Sequence, residues 1–168
     1  DVDRVRWRQD LQEDRNRLAT LLSAAEQITP DRDAKLAKLR EIIGGKVASP
    51  INPGNRKVIV FTAFADTAEY LYRELAPWAA TGMKLHSAVI SGTGTNRTNM
   101  PKLRTDLASL LTSFAPKSKE RPADMAGEGE IDLLIATDCI SEGQNLQDCD
   151  YLINFDIHWN PVRIIQRF

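Results

Sequence analysis

Apolar positions recur at near-helical spacing in the first part of the chain. Trp7, Leu11, Leu18, Leu21, Leu22, Ala25 and Ile28 alternate with charged residues and predict a helix from residue 1 to about residue 28. Asp14 and Arg15 interrupt that stripe, so its packing face is imperfect. Thr29-Pro30 ends the pattern. Asp31 is placed to cap a second helix carrying Leu36, Leu39 and Ile43 on one face, with Gly44-Gly45 as its C-terminal signal. Residues 46–56, KVASPINPGNR, read as a Pro/Gly/Asn loop.

The period then changes. Residues 57–62 (KVIVFT) form a short β-branched run of the buried-strand type. Phe64, Ala68, Leu71, Leu75 and Trp78 follow as the apolar face of a helix, which Pro77 and Gly82 are expected to end. Residues 84–90 (KLHSAVI) predict a second strand, opening into the turn-forming SGTGTNRTN. Leu103, Leu107, Leu110 and Phe114 mark another amphipathic helix, and residues 115–130 read as a polar, mobile loop. Residues 131–137 and 151–155 are the last predicted strands. Strands alternating with helices imply an α/β domain built on a parallel, doubly wound sheet. The organisation expected is a helical appendage over residues 1–50 and the α/β domain over residues 51–168.

Composition adds few constraints. With 42% hydrophobic and 27% charged residues the chain suits a globular core. The 22 Lys and Arg nearly balance the 23 Asp and Glu, so bulk charge points to no partner. Charge along the chain is less even: six basic residues lie between Arg97 and Arg121 against Asp106 and Glu120, and none between residues 122 and 161. Cys139 and Cys149 have neither CxxC spacing nor a nearby His, so no metal site is expected and reduced thiols are. No apolar run reaches membrane-spanning length and no signal peptide is evident, so a cytoplasmic setting is expected.

The chemistry-bearing residues concentrate late in the chain. Thr137 and Asp138 emerge from the carboxyl end of a predicted buried strand, where open α/β sheets bind ligands. Gly143 permits close backbone approach, and Asn145 and Gln147 offer amide groups. The same pattern also fits a capped strand-to-helix turn with no ligand. Pro161 is suited to the first turn of a helix with Asn160 as its cap, and Arg163 and Arg167 fall one turn apart, which solvated arginines also do. Ser91-Gly92-Thr93-Gly94 lacks the order of a Walker A loop and reads equally as a flexible turn. Neither His86 nor His158 has a triad-like partner; both read as structural or surface residues.

Taken together, ATDCISEGQNLQ (residues 136–147), WNP (159–161) and Gln166-Arg167 resemble motif V and the start of motif VI in the second motor lobe of superfamily-two helicases, closest to the bacterial Swi/Snf-like branch. Residues 58–64, VIVFTAF, are similar to motif IV. The resemblance covers about residues 31–168. It implies a RecA-like three-layer fold, a parallel sheet with helices on both faces, preceded by the helical segment. It also implies site residues: Thr62, Ala63, Ser91, Gly92, Arg97 and Thr137 toward a nucleic-acid backbone, DNA or RNA, and Gly143, Asn145, Gln166 and Arg167 toward ATP. ATP and Mg²⁺ would be held mainly by an N-terminal RecA-like lobe of the same polypeptide. The family's helix normally continues into further arginines that reach the terminal phosphate; the chain ends at Phe168, so this chain alone is expected to hydrolyse no ATP. Two rivals are a docking module derived from such a lobe and an unrelated Rossmann-like enzyme. The second is disfavoured because no GxGxxG follows the first predicted strand.

Overall fold

The computed structural model describes residues 3–92, 95–125, 127, 129–140 and 144–156. The chain forms two compact units, Asp1–Leu39 and Arg40–Phe168. In the first, α1 (Arg4–Glu26) starts at Asp3, whose carboxylate accepts hydrogen bonds from the amides of Val5 and Arg6, and no residue of α1 is buried. A 3-10 turn (Pro30–Arg32) leads to α2 (Ala34–Ala48). The α2 cap is Asp33, whose Oδ1 accepts from the amide of Leu36 at 2.9 Å, rather than Asp31, which sits inside the 3-10 turn.

The larger unit holds a five-stranded sheet of order β3-β2-β4-β1-β5. Its strands are β1 (Val58–Phe61), β2 (Ser87–Ile90), β3 (Arg97–Thr98), β4 (Leu133–Ala136) and β5 (Leu152–Asn154). β1, β2, β4 and β5 pair in parallel; β3 pairs antiparallel to β2. α3 (Ala65–Met83) and α4 (Leu107–Phe114) complete it. Every residue of β1, β2 and β4 is buried, which is why these strands are continuous apolar runs rather than alternating ones. Ile59, Phe61, Ala88, Ile90, Leu134 and Ala136 share one core cluster with Leu110, Leu111 and Phe114 of α4. Their neighbours in the strands point the other way by the two-residue period, and α3 packs on β2 and β4. Helices therefore cover both faces of a mixed, mostly parallel sheet, the three-layer architecture expected.

Four sequence expectations are corrected. Gly44-Gly45 do not end α2, which runs on to Ala48; the buried Lys46 side chain in that last turn forms an ion pair with Asp150 at 2.7 Å and anchors it. Pro77 lies inside α3, at an exposed position where its missing N–H leaves a bond unmade on the solvent side. The helix stops instead at Lys84, in the left-handed region with φ 55°. Phe64 is 62% exposed rather than on the buried face, because it stands in extended conformation just before α3. The described part of residues 115–130 is held to its surroundings: both the Lys117 and Ser118 amides donate to Asp148 at 2.8 Å.

Candidate functional site

Parallel strands in one register deliver their last residues to one line. Phe61 is level with Ala136, and Ala136 with Ile90. The residues that follow are Thr62, Thr137 and Ser91, each buried. Two ladder bonds continue past the strands and tie this line together: Thr62 N–H donates to Ala136 O at 3.0 Å, and Thr137 N–H to Ile90 O at 3.1 Å. Neighbouring strands lie about 4.8 Å apart, so three hydroxyl-bearing residues span about 10 Å across the carboxyl edge, where open α/β sheets take ligands.

The hydroxyls do more than face outward. Thr62 Oγ1 donates to a carboxylate oxygen of Asp156 and accepts from the Phe64 amide. Thr137 Oγ1 accepts from the Gly92 amide at 3.3 Å and donates to Cys139 Sγ at 3.3 Å. These bonds fix the loop after β1 to the residues after β5, and the loop after β2 to that after β4. What the edge presents to solvent is then Phe64, Gly92 and Cys139, with Ala63 and Asp138 half-buried. A Cβ added at Gly92 would sit 3.4 Å from the Cys139 Cβ, so the two loops approach closely there.

Of the residues expected to meet a nucleic-acid backbone, Thr62, Ala63, Ser91, Gly92 and Thr137 thus gather on this edge. Arg97 stands apart on the antiparallel strand β3. There it forms an ion pair with Glu69 and its guanidinium lies 5.3 Å from the Tyr72 ring centre. Burial pushes the Tyr72 hydroxyl above its ordinary pKa. Of the nucleotide-side residues, Asn145 is exposed and its Oδ1 accepts from the Gln147 amide at 3.4 Å. Gly143, Gln166 and Arg167 lie outside the described residues, as do His158, Asn160 and Pro161.

The tether beneath this loop was missed from sequence. Asp148 accepts from the amides of Lys117 and Ser118 and from the Ser118 hydroxyl, while Lys119 Nζ donates to Gln144 Oε1 at 2.8 Å. Burial pushes the Asp148 carboxyl up, but the hydrogen bonds from Ser118 and Lys117 outweigh it and leave it below the usual carboxylate range. Asp150 follows the same logic, with burial opposed by Lys46 and Asn52. The only available sequence signal was a turn-forming PKSK run after a helix, facing an acidic loop thirty residues on.

Residues 34–168 match the helicase conserved C-terminal domain. The chain belongs to that family. Over 39 residues, 23% of the chain, this helicase C-terminal domain is 54% identical to the uncharacterized ATP-dependent helicase YqhH of Bacillus subtilis. Over 113 residues, 67% of the chain, it is 26% identical to the putative ATP-dependent DNA helicase fml2 of Schizosaccharomyces pombe. It spans 7% and 12% of the lengths of those relatives. The crystal structure of the C-terminal part of the Fun30 ATPase domain shares the fold, with a TM-score of 0.52 at 18% identity over 94% of this chain and 43% of that one. Among the described residues no helix is long and apolar enough to cross a membrane.

Proposed function

We propose that this domain is the second motor lobe of an ATP-dependent helicase or translocase, and that its carboxyl edge grips a nucleic-acid backbone. The observation that carries the reading is the aligned line of Thr62, Thr137 and Ser91, in a chain of the helicase C-terminal family. The exposed, Cβ-free Gly92 lets a sugar-phosphate backbone approach the loops that the buried Thr62, Ser91 and Thr137 hold in place, and such a surface reads no base sequence. Such a grip is sequence-independent. The side chains bonded beneath the edge keep its shape while the lobe moves as a body.

Toward the nucleotide, the reading assigns Gly143, Asn145, Gln166 and Arg167. Amide, backbone and guanidinium groups of this kind fit a ribose and phosphates. The described residues bring no three metal-ligating side chains together, and the proposal gives Mg²⁺ and most of the nucleotide contacts to a first lobe. Bound ATP supplies the free energy of phosphoanhydride hydrolysis. Asn145 would orient the sugar, and the loop 144–149 would pass closure of the two lobes to Thr137 through the short Asp138–Ile140 turn.

The test is a charge placed on the edge. Gly92→Glu keeps its Cβ in ordinary contact range and sets a carboxylate on the proposed grip. Single-stranded and duplex DNA, and an RNA of the same length, are titrated by fluorescence anisotropy at low salt. Binding is expected to weaken about tenfold or more, the cost of one like charge beside a phosphate in a shielded site. Unchanged binding with an intact circular dichroism spectrum would remove this edge from the reading. The chain by itself is expected to turn over no ATP; sustained nucleic-acid-stimulated hydrolysis by it would refute the two-lobe assignment.

A further inference from the structure

At the amino ends of β1, β4 and β5, opposite the edge that carries Thr62, Ser91 and Thr137, the chain opens a cleft of about 780 Å³. Arg56, Lys57, Lys117 and Arg121 line it against the carboxylates of Glu130, Asp132 and Asp148. Two of those carboxylates are already engaged. Glu130 pairs with Lys57 at 2.7 Å, and Asp148 accepts from the amides of Lys117 and Ser118 and from the Ser118 hydroxyl. Asp132 alone is left against Arg56, Lys117 and Arg121, so the lining carries an excess of positive charge.

The hydrogen bonding of Arg121 is incomplete. Its Nη1 donates to Gly129 O at 2.6 Å, while Nε and Nη2 are buried and have no hydrogen-bond partner. Those two N–H groups lie side by side on one edge of the guanidinium, the fork that matches two oxygens of an anion. A buried charged donor without an acceptor is costly. The backbone nonetheless holds the residue firmly. Arg121 N–H donates to Pro116 O at 2.8 Å and Glu120 N–H to Lys117 O at 3.2 Å, the paired bonds of a Schellman turn. Such a turn needs a left-handed residue, and Glu120 supplies it at φ 49°, where glycine is the usual choice. Lys117 and Arg121 therefore belong to one closed loop, tied down by Asp148. On the segment before β1, Arg56 repeats the pattern: Nη2 donates to Met83 O, and Nε is buried without a partner.

We propose that this cleft binds a phosphate dianion, with the Arg121 fork and the Lys117 ammonium as its principal partners. Three cations against one remaining carboxylate suit a dianion better than a carboxylate ligand. Nε and Nη2 of Arg121 are closed off from solvent, so binding turns the guanidinium away from Gly129 O. Two charge-assisted bonds then replace one to a neutral carbonyl. The site stands apart from the motor reading, because none of its residues lies on the carboxyl edge. The test is a titration of the whole chain with inorganic phosphate at about pH 8, where it is dianionic, at constant ionic strength. It is followed by the Arg121 Nε–H resonance in nitrogen-15 NMR. Saturable binding is expected at about 1 mM, with that resonance shifting, and acetate is expected to bind about tenfold more weakly or less. Arg121→Lys keeps the charge but loses the fork, and should weaken phosphate about tenfold. Lys117→Gln, at an exposed position, should weaken it by a smaller factor, and Gly92→Glu on the motor edge should leave it unchanged. Circular dichroism checks the fold of each variant, and Lys117→Gln alone decides if Arg121→Lys does not fold. No saturation by about 20 mM phosphate overturns the proposal, as does binding indifferent to Arg121→Lys or to Lys117→Gln. Acetate binding as tightly as phosphate overturns it too, and so does a loss of phosphate binding in Gly92→Glu.

Discussion

Asp148 is the residue on which the loop 144–149 most depends. Three donors from residues 117 and 118 converge on it, so removing the carboxylate strands two backbone amides. Asp148→Ala is expected to cost about 1–3 kcal/mol in urea unfolding and to speed amide exchange at Lys117 and Ser118. Equal stability and unchanged exchange would show the tether to be incidental. The pH dependence has a definite sign. Asp148 and Asp150 are held below the ordinary carboxylate value of about 3.9, so their contribution is complete above that value and is lost as pH falls through their lowered ones. Asp132 opposes them: burial raises its carboxyl despite Arg56 and Lys57, so its contribution is lost as pH rises through that raised value. Asp132→Asn is therefore expected to leave stability at neutral pH equal or higher, and a loss beyond about 1 kcal/mol would contradict the burial argument. At this scale the sequence revealed Thr62, Ser91, Gly92 and Thr137 as strand-end residues. It did not reveal Asp148, because its donors come from a segment whose composition reads as solvent-exposed.

Among the elements, the strands were legible and several boundaries were not. β1, β2 and β4 announce themselves as apolar runs because both their faces are buried. β3 is two residues long and pairs antiparallel at the edge, too short for any period to show. Its place is secured instead by Asn99 and Thr98, which bond the backbone of Ser87 at 2.7 and 2.8 Å. Helix ends misled for a physical reason: Gly44-Gly45 is a stop signal only where no tertiary contact rewards another turn, and Lys46 supplies one by reaching Asp150 and Asn55. Two helical glycines with open space at their Cβ positions then remain as conformational cost. Gly45→Ala is expected to stabilise the chain by about 0.5–1 kcal/mol, seen as a raised thermal midpoint; a lowered midpoint would mean that α2 does end at that point.

For the molecule as a whole, the uneven charge along the chain overstated its field. Arg97 pairs with Glu69, Arg104 with Asp106, Lys119 binds Gln144, and Arg121 donates to Gly129. Two of the six basic residues of that stretch are thus neutralised by carboxylates, and the formal net charge is −1. Binding of nucleic acid by this domain is therefore expected to show a shallow salt dependence, with a slope of log K against log salt smaller in size than about 3. A steep slope would point to a basic surface elsewhere in the chain. The two thiols of the molecule differ in a useful way. Cys149 is half-buried, its thiol pushed up by burial and donating to Tyr151 O, whereas Cys139 is exposed on the carboxyl edge. A maleimide dye should therefore attach at one position without mutagenesis. It would stand beside Gly92, so the native chain carries its own reporter at the place where a bound strand would quench it.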